Sequence, residues 1–281
     1  MKRILVTFLL SLLLINLSFS QSVHSTLLNK KTEKPVEDVV IYNRSKEIIT
    51  HADDKGKFNI EAKMTDSLHI YKLGYNFRNL MGSELKDTIY LERTVNQIDD
   101  VYITNKKPDI ILKHYKKNHS YYANPHSLQA FRIKIPAQSV ITSIELPIKI
   151  KSKAHNEGKI IFQIFSGKNG KPDLTRPVTK EKVIKNIKDL KRKIVLNFTD
   201  FDSNDDNYKY LVIQRILPPS DKSEIKHYIL NPIIKTNRKS DSNKNYMIRV
   251  YGSKKWLDSN DIFSNDFNIR ICYKVYGYKL E

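Results

Sequence analysis

The side chains able to do chemistry here are few, and each can be held against the spacing its chemistry needs. A zinc peptidase centre needs a His and a Glu at a fixed short spacing plus a distant His, because three ligands must converge on one ion. Of eight histidines only His155 has a Glu close behind it, and His155-Asn156-Glu157 has the wrong spacing for a His-x-x-Glu pair. Peptidase activity of that type is excluded. His114, His119 and His126 are five and seven residues apart. A helix face needs three or four, so they read as solvated side chains. Asp200, Asp202 and Asn204 alternate as calcium ligands would, but Asp205 stands at the sixth place and Leu211 at the twelfth. An EF-hand needs Gly and Glu there, which leaves a looser calcium site or, as the preferred reading, an acidic turn. Cys272 is the single cysteine, with no histidine within forty residues. Alternation puts it opposite Phe267, Ile269, Ile271, Tyr273 and Val275, as an inert, partly covered thiol. Gly-x-Ser-x-Gly is absent, and eight glycines in 281 residues form no phosphate-cradling loop. Trp256, Tyr251, Tyr246 and Tyr228 could stack on sugar rings, against the rival reading of ordinary sandwich core.

Strands must position these groups. Val39–Tyr42, Ile48–His51, Phe58–Ile60, Ser67–Tyr71 and Asp87–Leu91 are short apolar runs at regular spacing, with no helical period between them. Asp54-Lys55-Gly56 reads as a tight turn making Ile48–Ile60 a β-hairpin. Asp99–Thr104 reads as an extra strand and Asp109–Lys117 as a short helix opened by Pro108, followed by a polar loop over Asn118–Ser127. Beyond Leu128 strands are expected at Phe131–Ile135, Val140–Ile150, Lys159–Phe165, Lys193–Phe198, Tyr208–Leu217, Ile229–Ile234, Tyr246–Tyr251 and Phe267–Tyr278, with a loop at Gly167–Pro172.

The series Pro35-Val36-Glu37-Asp38-Val39, Thr50, Asp54-Lys55-Gly56-Lys57-Phe58, Asp66-Ser67-Leu68 and Leu73-Gly74-Tyr75 resembles the carboxypeptidase-regulatory-like domain. That domain is a prealbumin-like β-sandwich found at the N-terminus of many outer-membrane and secreted proteins of Bacteroidetes-type bacteria. The resemblance covers residues 22–92 and departs from the family at Ser25, where a Gly is usual. It implies an accessory module without catalytic residues. The pattern of Phe131–Ile133, Ile161–Phe165, Gly170–Pro172 and Tyr210–Ile213 resembles the C-terminal regions of proteins that carry this domain, and names no chemistry.

Residues 1–20 have the build of a secretion signal: Lys2 and Arg3, an apolar run from Ile4 to Leu17, and Ser18-Phe19-Ser20 at the cleavage site. The run is short for a membrane span, and no later stretch reaches that length. Its loss would lower the formal charge from +19 to +17. Only 11 of the 49 basic residues are arginine. A lysine-coated surface argues against nucleic acid and leaves an anionic polymer as a sharper alternative.

These readings combine into an all-β chain: signal 1–20, prealbumin-like sandwich 21–92, linker 93–127 and a larger jelly-roll-like sandwich 128–281. The expected function is that of an exported, non-enzymatic envelope protein, periplasmic, outer-membrane associated or extracellular, without cofactor unless calcium. Its second sandwich would bind a glycan or an envelope protein, the alternative being a hydrolase acting on polysaccharide. If the turn and the linker are right, Gly56→Val destabilises residues 22–92 by about 1–3 kcal/mol while the second sandwich keeps its own transition.

Overall fold

The computed structural model describes residues 21–94, 107–114, 119–149, 158–179, 182–203, 208–217, 233–239, 245–258, 261 and 268–279. The signal segment, the strand expected at Asp99–Thr104, Asn204 and Tyr228 lie outside the described residues. The chain is all-β, arranged as two sandwiches.

In the first sandwich β1 (Gln21–Asn29) is the middle strand of a three-stranded sheet. It runs antiparallel to β4 (Lys57–Ala62) and parallel to β7 (Thr88–Leu91). The facing sheet has four strands in the order β3 (Ile48–His51), β2 (Val40–Asn43), β5 (Ser67–Tyr71) and β6 (Arg78–Met81). The period-2 pattern explains the packing. In β4, Phe58, Ile60 and Ala62 turn inward while Lys57 and Asn59 stay exposed. They meet Leu27, Ile41, Leu68, Ile70 and Ile89 in one core.

The turn after β3 does not close a hairpin. β3 pairs with β2 and β4 pairs with β1, so Asp53–Gly56 carries the chain from one sheet to the other. Asp53 Oδ1 accepts the N–H groups of Lys55 and Lys57 at 2.9 and 2.7 Å, which fixes the bend through its own side chain. Gly56 has φ +72°, and a Cβ there would lie 2.5 Å from the carbonyl oxygen of Leu27. Both the backbone angle and the close approach of β1 require glycine.

The second sandwich has two seven-stranded sheets. The inner one runs β13 (Lys171–Pro177), β12 (Lys159–Lys168), β16 (Lys209–Ile216), β10 (Ser127–Ile133), β18 (Tyr246–Val250), β19 (Leu257–Asp258), with β14 (Val183–Asn186) also on β12. The outer one runs β20 (Asn268–Ile271), β17 (Ile233–Lys239), β11 (Ser139–Lys149), β21 (Tyr273–Lys279), β8 (Asp109–His114). There β15 (Lys193–Ser203) also pairs with β11 and β9 (His119–Tyr122) with β17.

Several expectations change here. Asp109–His114 is a strand on β21, not a helix: the β-branched Ile110-Ile111 suits a strand, and Pro108 ahead of it removes no ladder donor. His119–Tyr122, expected as loop, pairs with β17. Gly167–Pro172 is a hairpin rather than a loose loop, because Asn169-Gly170 forms a two-residue turn with φ +52° and +72° at both central positions. The final run divides at Cys272 into two strands with different partners. Cys272 is fully buried, not partly covered.

The inner sheet of the second sandwich is covered on both faces. Ile160, Phe162 and Ile164 of β12, with Leu211 and Ile213 of β16, pack toward the outer sheet. Their neighbours Ile161, Phe165, Tyr210, Val212 and Ile216 pack toward the first sandwich, against Val40, Ile49, Tyr71 and Leu73. Every residue of β16 is buried. Double coverage explains why Ile160–Phe162 and Tyr210–Ile213 run apolar without alternation. It also replaces the picture of two cores held apart by a linker, since Trp256, Tyr251 and Met247 belong to a cluster shared by both sandwiches.

That sharing gives a different outcome for the turn substitution. Gly56→Val is expected to destabilise the molecule by about 1–3 kcal/mol and to lower the midpoint of one common transition. Trp256, the single tryptophan, lies in the shared cluster and reports it by fluorescence. Its melt should shift together with the far-ultraviolet dichroism. A Trp256 signal that stays in place while part of the dichroism melts early would show separable cores.

Candidate functional site

The aromatic residues singled out from the sequence lie in the interior. Trp256 and Tyr251 sit in the shared cluster, with the Tyr251 ring 5.4 Å from Tyr71 of the first sandwich. Tyr246 packs 5.0 Å from Phe131, and its hydroxyl accepts from Gln129 Nε2 at 3.3 Å. Buried rings offer no face to a sugar, so packing explains all three. Asp200 and Asp202 lie on β15, where Asp202 is in register with Val140, so this stretch is strand rather than an acidic turn. Among the described residues no three His, Cys, Asp or Glu side chains are grouped to hold a metal.

A cavity of about 550 Å³ opens instead where the two sandwiches meet. The first sandwich contributes Glu37, Asp38, His51, Ala52, Asp53 and Asp54; the second contributes Gly158, Lys159, Asn186, Lys188, Ile216 and Leu217. Glu37 and Asp38 lie just before β2, and Asp53 and Asp54 on the turn that leaves β3. The first sandwich therefore presents two acidic loops side by side. Ala52, Ile216 and Leu217 supply apolar surface between the polar groups. Clefts between domains are common places for small-molecule sites.

The charges in this cleft are largely committed. Lys159 Nζ donates to both oxygens of Asp38 at 3.0 Å and lies 3.7 Å from Glu37. Burial opposes the charge of Lys159, but the hydrogen bond and attraction of Asp38, with Glu37, outweigh it and raise its pKa. Asp53 is held by the two backbone N–H groups of its turn. His51 is buried, and burial together with the nearby Arg215 lowers its pKa to about 3, so the imidazole is neutral. Its Nε2 has no hydrogen-bond partner among the described residues. Arg215 is fully buried at the same junction and donates to the Lys159 carbonyl at 3.3 Å. Asp54 and Lys188 stand exposed at the rim.

Such a site can hydrogen-bond a hydroxyl-rich molecule from both sides. It is poorly equipped for acid–base work, because Asp38 is tied to a cation and His51 is held in its neutral form. Sequence reasoning missed the cleft. Glu37-Asp38 and Asp53-Asp54 stand in or beside the motifs of the first sandwich, but nothing local places Lys159, more than a hundred residues later, against them.

No protein-family model matches the chain, and no curated protein matches it significantly. A solved structure of a candidate carbohydrate-binding protein from Bacteroides uniformis aligns over 93% of this chain and 99% of its own, with 11% identity and a TM-score of 0.21. A likeness at that level bears on neither fold nor ligand.

Beside the cleft, Lys182 crosses from the second sandwich to donate to the Leu73 carbonyl, with its Nζ 5.8 Å from the centre of the Tyr75 ring. Burial, aided by the charges of Lys72 and Arg93, lowers its pKa from 10.5 to about 7, against the pull of Asp38. Between those two values the unfolded chain binds more protons than the folded one, so this group makes stability rise with pH from about 7 toward 10.5. Lys182→Met should flatten that rise. The check is the thermal midpoint of both proteins from pH 7 to 10, and parallel curves would count against the lysine.

Proposed function

We propose that the protein is an exported, non-enzymatic component of the cell envelope that binds a glycan in the cleft between its two sandwiches. The observation that carries this reading is the cleft itself, with acidic side chains on one wall, basic and amide side chains on the other, and mostly apolar surface between them. Sugar hydroxyls match such alternating donors and acceptors, and the apolar patch suits the C–H face of a ring. The commitment of Asp38 to Lys159 favours binding over hydrolysis, which needs carboxylates able to exchange protons.

The first sandwich serves in this proposal as a carboxypeptidase-regulatory-like accessory module that contributes one wall. Its seven strands in a three- and a four-stranded sheet support that reading. The leader-like residues 1–20 support export, to the periplasm, the outer membrane or beyond. Among the described residues no helix is long and apolar enough to cross a membrane.

Titration of the mature chain with neutral oligosaccharides from envelope and algal polymers is expected to identify a binder. Asp54→Asn and Lys188→Gln, both at the exposed rim, should each weaken it by about 3- to 10-fold without moving the thermal midpoint. Release of shortened saccharides would replace binding with hydrolysis. Affinity unchanged from the parent in both variants would move the site elsewhere.

A further inference from the structure

A second pocket, sharing no residue with the cleft, lies at one end of the second sandwich. It has a volume of about 230 Å³ and is lined by Arg132, Lys134, Tyr208, Asn245, Arg270, Ile271 and Tyr273. We propose that this pocket is an oxyanion site that takes a sulfate or carboxylate group.

Its composition points that way. Three cations line one small space: Arg132 on β10, Lys134 just past its end, and Arg270 on β20 of the other sheet. Among the described residues no carboxylate lines it. A volume below that of a usual small-molecule site suits one charged group better than a whole oligosaccharide.

Arg132 is the decisive member. The carbon of its guanidinium lies 3.2 Å from the centre of the Tyr208 ring, so the ring covers one face of the fork and leaves its N–H edge for an acceptor. Its Nε is buried and has no hydrogen-bond partner among the described residues. A buried, charged donor without an acceptor is costly, and an oxyanion supplies both the acceptor and the opposite charge.

Hydrogen bonds tie the strand end beside it across the two sheets. Tyr273 Oη accepts the Lys134 N–H at 2.8 Å and donates to the Lys134 carbonyl at 3.2 Å, joining the two sheets at this end. The Asn245 carbonyl accepts the Arg132 N–H at 2.8 Å. Burial chiefly, with Tyr208 adding, raises the Tyr273 pKa to about 12 against the Lys134 hydrogen bond and Arg270, so the hydroxyl keeps its proton. The strand end that carries both Arg132 and Lys134 is thus held before any anion arrives.

The test titrates the mature chain with inorganic sulfate, a sulfated oligosaccharide, its desulfated counterpart and an oligogalacturonate. Sulfate or carboxylate forms are expected to bind, the desulfated form at least about tenfold less, and Arg132→Gln to lose about tenfold with the thermal midpoint retained. Binding of inorganic sulfate alone would assign the site to a free anion; binding of the saccharides would assign it to an anionic glycan. If Arg132→Gln fails to fold, Lys134→Gln carries the test, since that side chain is exposed, and should weaken binding by about threefold. No binding of any oxyanion, or affinities unchanged in a folded variant, overturns the proposal. Lys188→Gln in the cleft should leave these affinities unaltered, so this site and the cleft stand or fall separately.

Discussion

Val40, Ile49, Tyr71 and Leu73 project from the first sandwich onto Ile161, Phe165, Tyr210 and Val212 of the second, and the rest of the molecule depends on that contact. Burial of apolar area is worth roughly 25 cal/mol per Å², so a face of this kind is held shut by the solvent rather than by any one bond. The contact turns two sandwiches into a stack of three cores. It also brings Glu37, Asp38 and Asp53 up to Lys159, Asn186 and Lys188, which no covalent neighbourhood would do.

The polar groups at the margin of that contact are arranged by the same constraint. Asp38 and Lys159 meet because their strands are pressed together, and each satisfies the other where water is partly excluded. Lys182 is the opposite case. It meets the Leu73 carbonyl and the Tyr75 ring, and burial with Lys72 and Arg93 nearby disfavours its charge. The cleft lies between these extremes, polar enough to offer hydrogen bonds and with its internal charges mostly paired.

In the first sandwich β4 is legible because it has one wet face, whereas β2 and β5 are covered on both. Lys57, Asn59 and Phe58, Ile60 alternate, and the turn at Gly56 announces itself through Asp53 and a glycine. Which strand pairs with which was not legible: the same turn serves a hairpin or a crossing between sheets, and only long-range packing decides. In β12 and β16 the apolar stretches Ile160–Phe162 and Tyr210–Ile213 read as strand, and their lack of alternation is the mark of cover on both faces. Trp256 and Tyr251 resemble ligand-binding rings in the sequence because an aromatic at a surface and one at an interface look alike there. Arg132 and Arg270 stand 138 positions apart, and only the register of β10 and β20 with their neighbours brings them to one pocket.

The central position of β1 has a consequence for how the chain reaches this state. Its antiparallel partner begins at Lys57 and its parallel partner at Thr88, so the first strand cannot complete its ladder until about sixty further residues have followed it. Closing such a loop costs chain entropy before any hydrogen bond is gained. Among the described residues, the segment written first is thus among the last to be locked. Until residue 91 is in place, β1 has an unpaired edge, a template to which another extended chain could add.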